Sequence, residues 1–250
     1  MNDLARVNGL GRRLFAEALG TALLVTAVIG SGIAAATLSP SDTGLQLLEN
    51  AVATAAGLAV IILLVGPVSG APLNPVISLA DWWLGRRRGT GLPLRQVGAY
   101  AVAQVAGGIA GAVLANLMFD LPAVDWSTHD RSSGHLLLGE VVATAGLVAL
   151  VFALARSGRG ALSAAAVAAY IGSAYFFTSS TSFANPAVTV ARMFSDTFAG
   201  IAPASVLPFV LAQLLGAAIG VGIVLGLYPD VAASADDVVV PHEATEASRA

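Results

Sequence analysis

Two dipeptides concentrate the chemistry open to this chain. Asn74-Pro75 lies within SGAPLNPVIS and Asn185-Pro186 within FANPAVTVAR, each interrupting apolar sequence. Proline lacks an N–H and suits the first turn of a helix, where that N–H would have no partner. Asparagine just before it is a favoured N-cap. Each pair therefore opens a helix, and apolar sequence then lasts only about ten residues. At 1.5 Å per residue that is about 15 Å, half the hydrocarbon thickness of a bilayer. Irregular backbone at membrane depth persists only where protein buries it or a watery cavity borders it. Two half-helices entering from opposite faces would meet at their N-termini and aim partial positive charge at one point. The Asn74 and Asn185 amides would stand beside that point as donors. A water or hydroxyl held there must present its oxygen, which breaks a proton-conducting chain of waters, and the same field repels cations.

Other reactive groups are sparse. Glu17 and Glu140 fall inside apolar stretches, where a carboxylate needs hydrogen-bond partners; a proton relay is the rival reading, but nothing else in the spans continues one. The hydroxyl run TSSTS (178–182) has no partner base and reads as polar lining. His129 and His135 sit at or beside a loop and His242 in the tail, without metal-ligand spacing, and the chain has no Cys. No phosphate-cradling glycine loop or nucleophile elbow occurs. Enzymatic activity, a cofactor, a bound metal and a nucleic-acid partner are therefore not expected. Trp82, Trp83 and Phe183 read as packing or interface anchors.

The elements that must hold these groups are membrane spans. The 250 residues are 56% hydrophobic and 11% charged, with mean hydropathy +0.81, whereas soluble domains are about 25% charged. Six spans are predicted at about 13–36, 46–66, 95–118, 135–155, 161–179 and 204–227, with the half-helices from Asn74 and Asn185 between them. The first stretch carries Glu17 and lacks a clear cleavage site, so it reads as a retained helix. Residues 229–250 form a polar, acidic tail. If both termini face the cytoplasm, ten arginines (6, 12, 13, 86, 87, 88, 95, 156, 159 and 249) lie inside. Arg131 and Arg192 alone lie outside, and such asymmetry sets orientation. The expected location is a multi-pass protein of the inner (plasma) membrane.

The chain also repeats. AEALGT around Glu17 matches GEVVAT around Glu140, LNPVIS matches ANPAVT, and AQVAGGIAG from Ala103 matches AQLLGAAIG from Ala212. The last pair aligns Gln104 with Gln213. Residues 1–118 form the first repeat, 119–134 the outer connecting loop, and 135–228 the second repeat. Three spans per repeat make the second enter upside down, an inverted repeat with its functional site at the midplane.

These paired motifs resemble those of the aquaporins, or major intrinsic proteins, over roughly residues 12–227. SGAPLNPVIS is similar to the family's first Asn-Pro-Ala (NPA motif) loop, with Val76 in place of Ala and Pro72 where His is usual. FANPAVTVAR resembles the second loop, in which Ala187 completes Asn-Pro-Ala. The resemblance implies an all-α membrane protein of six transmembrane helices and two re-entrant half-helices, a pore in each protomer and a homotetramer. It also implies that Glu17 and Glu140 accept hydrogen bonds from loop backbone. Counting from the two asparagines carries over the family's constriction. Twenty residues before Asn74 stands Thr54, where an aromatic is usual. Twelve before Asn185 stands Ser173, three before it Ser182, and three after it Val188, where the family nearly always has Arg. The expected constriction is wide, uncharged and lined by hydroxyls.

Replacement of that Arg resembles bacterial aquaglyceroporins linked to arsenic handling. The implied cargo is small and uncharged: glycerol-like polyols, urea, neutral metalloid acids such as arsenite, methylated arsenicals and water. Arg192, one turn beyond Val188, is expected in the outer vestibule, partly solvated, with the alternative that it reaches back to the constriction. Asp81, its counterpart seven residues after Asn74, is expected at the inner mouth near Arg86–Arg88. Three other classes fit less well: a secondary transporter on an inverted repeat, a water-selective channel and an adhesion protein without solute flux. Flux that neither saturates nor follows ion gradients separates channel from transporter.

Overall fold

A computed structural model describes residues 9–228, so the tail expected at 229–250 lies outside the described residues. The described chain is helical throughout: α1 (Leu10–Leu38), α2 (Thr43–Ser69), α3 (Pro75–Gly85), α4 (Leu94–Met118), α5 (Gly134–Arg156), a 3-10 turn (Gly160–Leu162) leading into α6 (Ser163–Phe177), α7 (Pro186–Arg192) and α8 (Pro203–Leu227). Among the described residues, α1, α2, α4, α5, α6 with its 3-10 turn, and α8 are long and apolar enough to cross a membrane. Their ends fall within three residues of those the apolar runs predict. The two short helices are half-spans. Together α3 (11 residues) and α7 (7 residues) rise about 27 Å, close to one hydrocarbon thickness.

Small residues set the tightest crossings, as expected where lipid is as apolar as Leu and close backbone contact supplies the attraction. On α4, a Cβ added at Gly107 would stand 2.0 Å from the Ala18 carbonyl oxygen, and one at Gly111 2.2 Å from that of Ala22. The second half repeats the crossing: Gly216 and Gly220 on α8 leave 2.5 and 2.6 Å to the carbonyl oxygens of Val141 and Ala145. Gly111→Ala must therefore part α1 from α4. Overpacking of this kind costs about 1–3 kcal/mol, and the expected result is a lower melting temperature in detergent; an unchanged one would contradict this packing.

Segment 119–133 lies across the connection between α7 and α8. Backbone N–H groups of Asp125 and Ser127 donate to the Phe194 and Met193 carbonyls, and Ala202 N–H donates to the His129 carbonyl. Trp126 packs on Phe194 with ring centroids 4.8 Å apart. The Thr128 N–H donates to Asp196 at 2.8 Å and is the main cause that holds this carboxyl below its ordinary range.

Candidate functional site

The two Asn-Pro pairs meet. The Asn74 side-chain oxygen accepts from Val76 N–H (3.1 Å) and that of Asn185 from Ala187 and Val188 N–H (3.0 and 3.3 Å). Each asparagine thus caps its own half-helix. Their amide nitrogens cross over: Asn74 Nδ2 donates to the Ala184 carbonyl and Asn185 Nδ2 to the Leu73 carbonyl, both at 2.8 Å. A primary amide has two N–H bonds, and both asparagines line a cavity of about 660 Å³, its open mouths included. One proton of each amide is fixed by the opposite loop, and the second remains for the cavity.

The loops ahead of the half-helices hold unusual backbone. Ala71 and Leu73 in the first, and Thr181, Ser182 and Ala184 in the second, have φ between 47° and 62°. Left-handed conformations at non-glycine residues cost about 1–3 kcal/mol each and persist only where surroundings impose them. The surroundings are two matching clasps. Glu17 accepts from Leu73 N–H (2.9 Å), Ser69 Oγ (2.6 Å) and Gln104 Nε2 (2.6 Å). Glu140 accepts from Phe183 N–H (2.8 Å), Ala184 N–H (2.8 Å) and Gln213 Nε2 (2.7 Å). Ser69 Oγ takes Ala71 N–H, and Ser180 Oγ takes Ser182 N–H. All four long polar side chains (Glu17, Gln104, Glu140 and Gln213) are fully buried. Gln213 Nε2 also donates to Thr189 Oγ1 at 2.8 Å, which in turn donates to the Asn185 carbonyl.

Four helices supply the rest of the cavity wall in stripes four residues apart: Leu24 and Val28 on α1; Thr54, Leu58 and Ile62 on α2; Leu147 and Val151 on α5; Val167, Ile171 and Tyr175 on α6. Residues at i and i+4 share a helix face. The loop residues 71–74 together with Ser182, Phe183 and Asn185 complete the lining, so the cavity has mostly apolar stripes and a polar edge. Thr54, Ser182 and Val188 line it at the α7 end. Tyr175 Oη donates to Thr54 Oγ1 at 3.2 Å and joins α2 to α6 there.

Three expectations need correction. Ser173 is not on this wall: it is exposed, with its hydroxyl bonded to the Tyr170 carbonyl. Counting twelve residues back from Asn185 assumed the family's loop length. The cavity-facing residue is Tyr175, ten back, and two residues are a turn of about 200° around a helix. Second, Arg192 is not partly solvated in a vestibule. It is 3% exposed and lines the cavity beside Val188; its Nε donates to the Ala199 carbonyl and its guanidinium lies 3.4 Å from the Phe183 ring centroid. Third, Phe183 is more than packing, since it also lines the cavity. The i, i+4 stripe of Val167, Ile171 and Tyr175 was the signal that could have found Tyr175. Asp81, matching Arg192 in the first repeat, accepts from Leu92 N–H at 2.7 Å. Each residue seven past its asparagine thus pins the segment that follows its half-helix. Among the described residues, no group of three or more His, Cys, Asp or Glu could hold a metal ion.

Comparison with known proteins agrees with this architecture. The family model described as Major intrinsic protein matches residues 5–184. The chain is 51% identical over 208 residues to aquaglyceroporin AqpS of Rhizobium meliloti, covering 83% of this chain and 86% of that protein. It is 32% identical over 183 residues to a glycerol uptake facilitator protein of Pseudomonas aeruginosa, covering 64% of this chain and 63% of the relative. Among solved structures, an aquaglyceroporin from Plasmodium falciparum superposes with a TM-score of 0.66 at 15% identity, over 89% of this chain and 99% of that one. At that identity the match speaks to the fold alone.

Proposed function

The chain belongs to the major intrinsic protein family, and from that premise we propose that it is a passive channel for small uncharged solutes. The observation that carries this reading is the two-sided cavity. Apolar stripes from α1, α2, α5 and α6 meet a polar edge that ends at the Asn74 and Asn185 amides. A polyol carries C–H on one side and hydroxyls on the other, so it can slide with each side on matching wall without stripping its oxygens of partners. A bare cation gains nothing from the apolar wall and is opposed by both half-helix N-termini. Relatives named as an aquaglyceroporin and a glycerol uptake facilitator support the same cargo class.

The finer reading concerns width. Val188, Thr54 and Ser182 are small or short side chains at the α7 end. We take them, with Tyr175 in the place assigned by counting to Ser173, as the constriction. It admits glycerol, urea, water and neutral arsenite, together with methylated arsenicals. Neutral arsenous acid is glycerol-sized and bears hydroxyls, which suits such a lining. The chain works as a homotetramer in the plasma membrane with both termini cytoplasmic, and it needs no cofactor and catalyses no reaction.

Stopped-flow light scattering on proteoliposomes tests this with water, glycerol, urea and arsenite. Expected is permeability above empty liposomes for all four, linear in concentration and indifferent to proton or sodium gradients. Saturable, gradient-driven uptake would identify a secondary transporter instead, and permeability to water alone a water-selective channel.

A further inference from the structure

Arg192 is the densest unexplained feature of the cavity. It stands four residues beyond Val188, about 6 Å further along the half-helix axis. Long helical side chains lean toward the N-terminus of their helix, and this one returns to the same wall that Val188 lines. Two contacts hold its side chain: its Nε donates to the Ala199 carbonyl, and its guanidinium carbon lies over the Phe183 ring. A second guanidinium shares the arrangement. Arg131, from the segment ahead of α5, lies 5.0 Å from the same Phe183 ring centroid, and its Nε donates to the carbonyl of Gly200 at 2.9 Å. Two consecutive carbonyls thus each take one arginine Nε, and one phenyl ring carries both cations. Among the described residues neither arginine forms an ion pair, and the Nη groups of Arg192 have no hydrogen-bond partner. Glu140, behind the loop, is occupied by Phe183 and Ala184 N–H and by Gln213. The α7 end of the cavity therefore holds net positive charge with free planar donors.

We propose that Arg192, braced by Phe183 and backed by Arg131, is the specificity-determining cation of this pore: it excludes cations and offers two donors to the oxygen of a passing neutral solute. The uncharged side chain at Val188 then widens the passage without leaving it electrically open. A guanidinium set one turn back from the narrowest ring leaves room for a larger solute beside Val188 while its field still crosses the lumen. A positive charge in a low-dielectric conduit is felt across several ångströms, so displacement by one turn weakens size exclusion more than charge exclusion. The inference rests on the channel reading above.

The chain has no cysteine, which allows the charge to be removed and restored in one protein. Vesicles carrying Arg192→Cys are loaded with a pH dye and with a sodium dye, and glycerol flux is measured on the same preparation. Expected is a rise in proton or sodium leak of at least about tenfold over wild type. A cationic alkylammonium thiosulfonate should reverse the rise, and an anionic sulfonate analogue should increase it. A leak equal to wild type, or equal leaks after both reagents, overturns the proposal. Should Arg192→Cys not fold, Arg192→Lys decides: it keeps the charge but not the planar fork. Leak should then stay low while the glycerol-to-water permeability ratio falls several-fold. An unchanged ratio there also overturns it. Absence of glycerol flux in wild-type vesicles would instead sink the channel reading itself.

Discussion

Val188→Arg lowers glycerol and arsenite permeability by about tenfold, equivalent to about 1.4 kcal/mol on the barrier, while water permeability falls much less. The side chain at 188 lines the cavity beside Ser182 and Asn185. A guanidinium there adds several heavy atoms to the wall at the end where Tyr175 and Thr54 already approach within 3.2 Å. It also places a like charge one turn from Arg192, and residues at i and i+4 are neighbours. The loss should therefore scale with solute cross-section, water being least affected. Ser173→Ala, on the exposed face of α6, is the control and should leave all four permeabilities at wild type. If Val188→Arg passes glycerol as wild type does, the width of this pore is set elsewhere.

Glu140→Leu is expected to abolish function by releasing the second loop. Three donors, the N–H groups of Phe183 and Ala184 and the amide of Gln213, lose their acceptor at once. A buried donor left unsatisfied costs about 1–3 kcal/mol, and the left-handed residues Thr181, Ser182 and Ala184 then lack what holds them. Three such groups together cost about 3–9 kcal/mol, a large share of the roughly 5–15 kcal/mol by which a folded protein is stable. The expected outcome is little recoverable protein, or recovered protein with a strongly lowered melting temperature and no glycerol flux. Glu140→Gln keeps one acceptor oxygen and should retain part of both. Wild-type melting and flux in Glu140→Leu would show that the clasp does not hold the loop.

What could be read before the structure was local. The spans follow from apolar run length, and the half-helices from two Asn-Pro pairs, because a cap and a first-turn proline act within four residues. What could not be read depended on angular placement over a gap. Tyr175 and Ser173 differ by two positions, and only the length of the 178–184 connection decides which faces the cavity. Arg192 was harder still. Its Cα position follows from helix geometry, but the tip of a long side chain goes where its partners are. Those partners, Ala199 and Phe183, lie on either side of it in sequence, one beyond the half-helix and one ahead of it.

The crossed amides bear on how such a protein can be made. Asn74 Nδ2 finds its acceptor at Ala184, 110 residues later, and Leu73 offers its carbonyl to Asn185, 112 residues later. During synthesis the first loop leaves the ribosome well before its acceptor does. Until then its amide and its carbonyl have only water or lipid headgroups to meet, so the first re-entrant loop must wait, hydrated, near the surface. Completion of the second repeat brings both loops inward as one event. Each loop supplies the acceptor the other's asparagine needs, so neither half of the chain can satisfy the midplane alone.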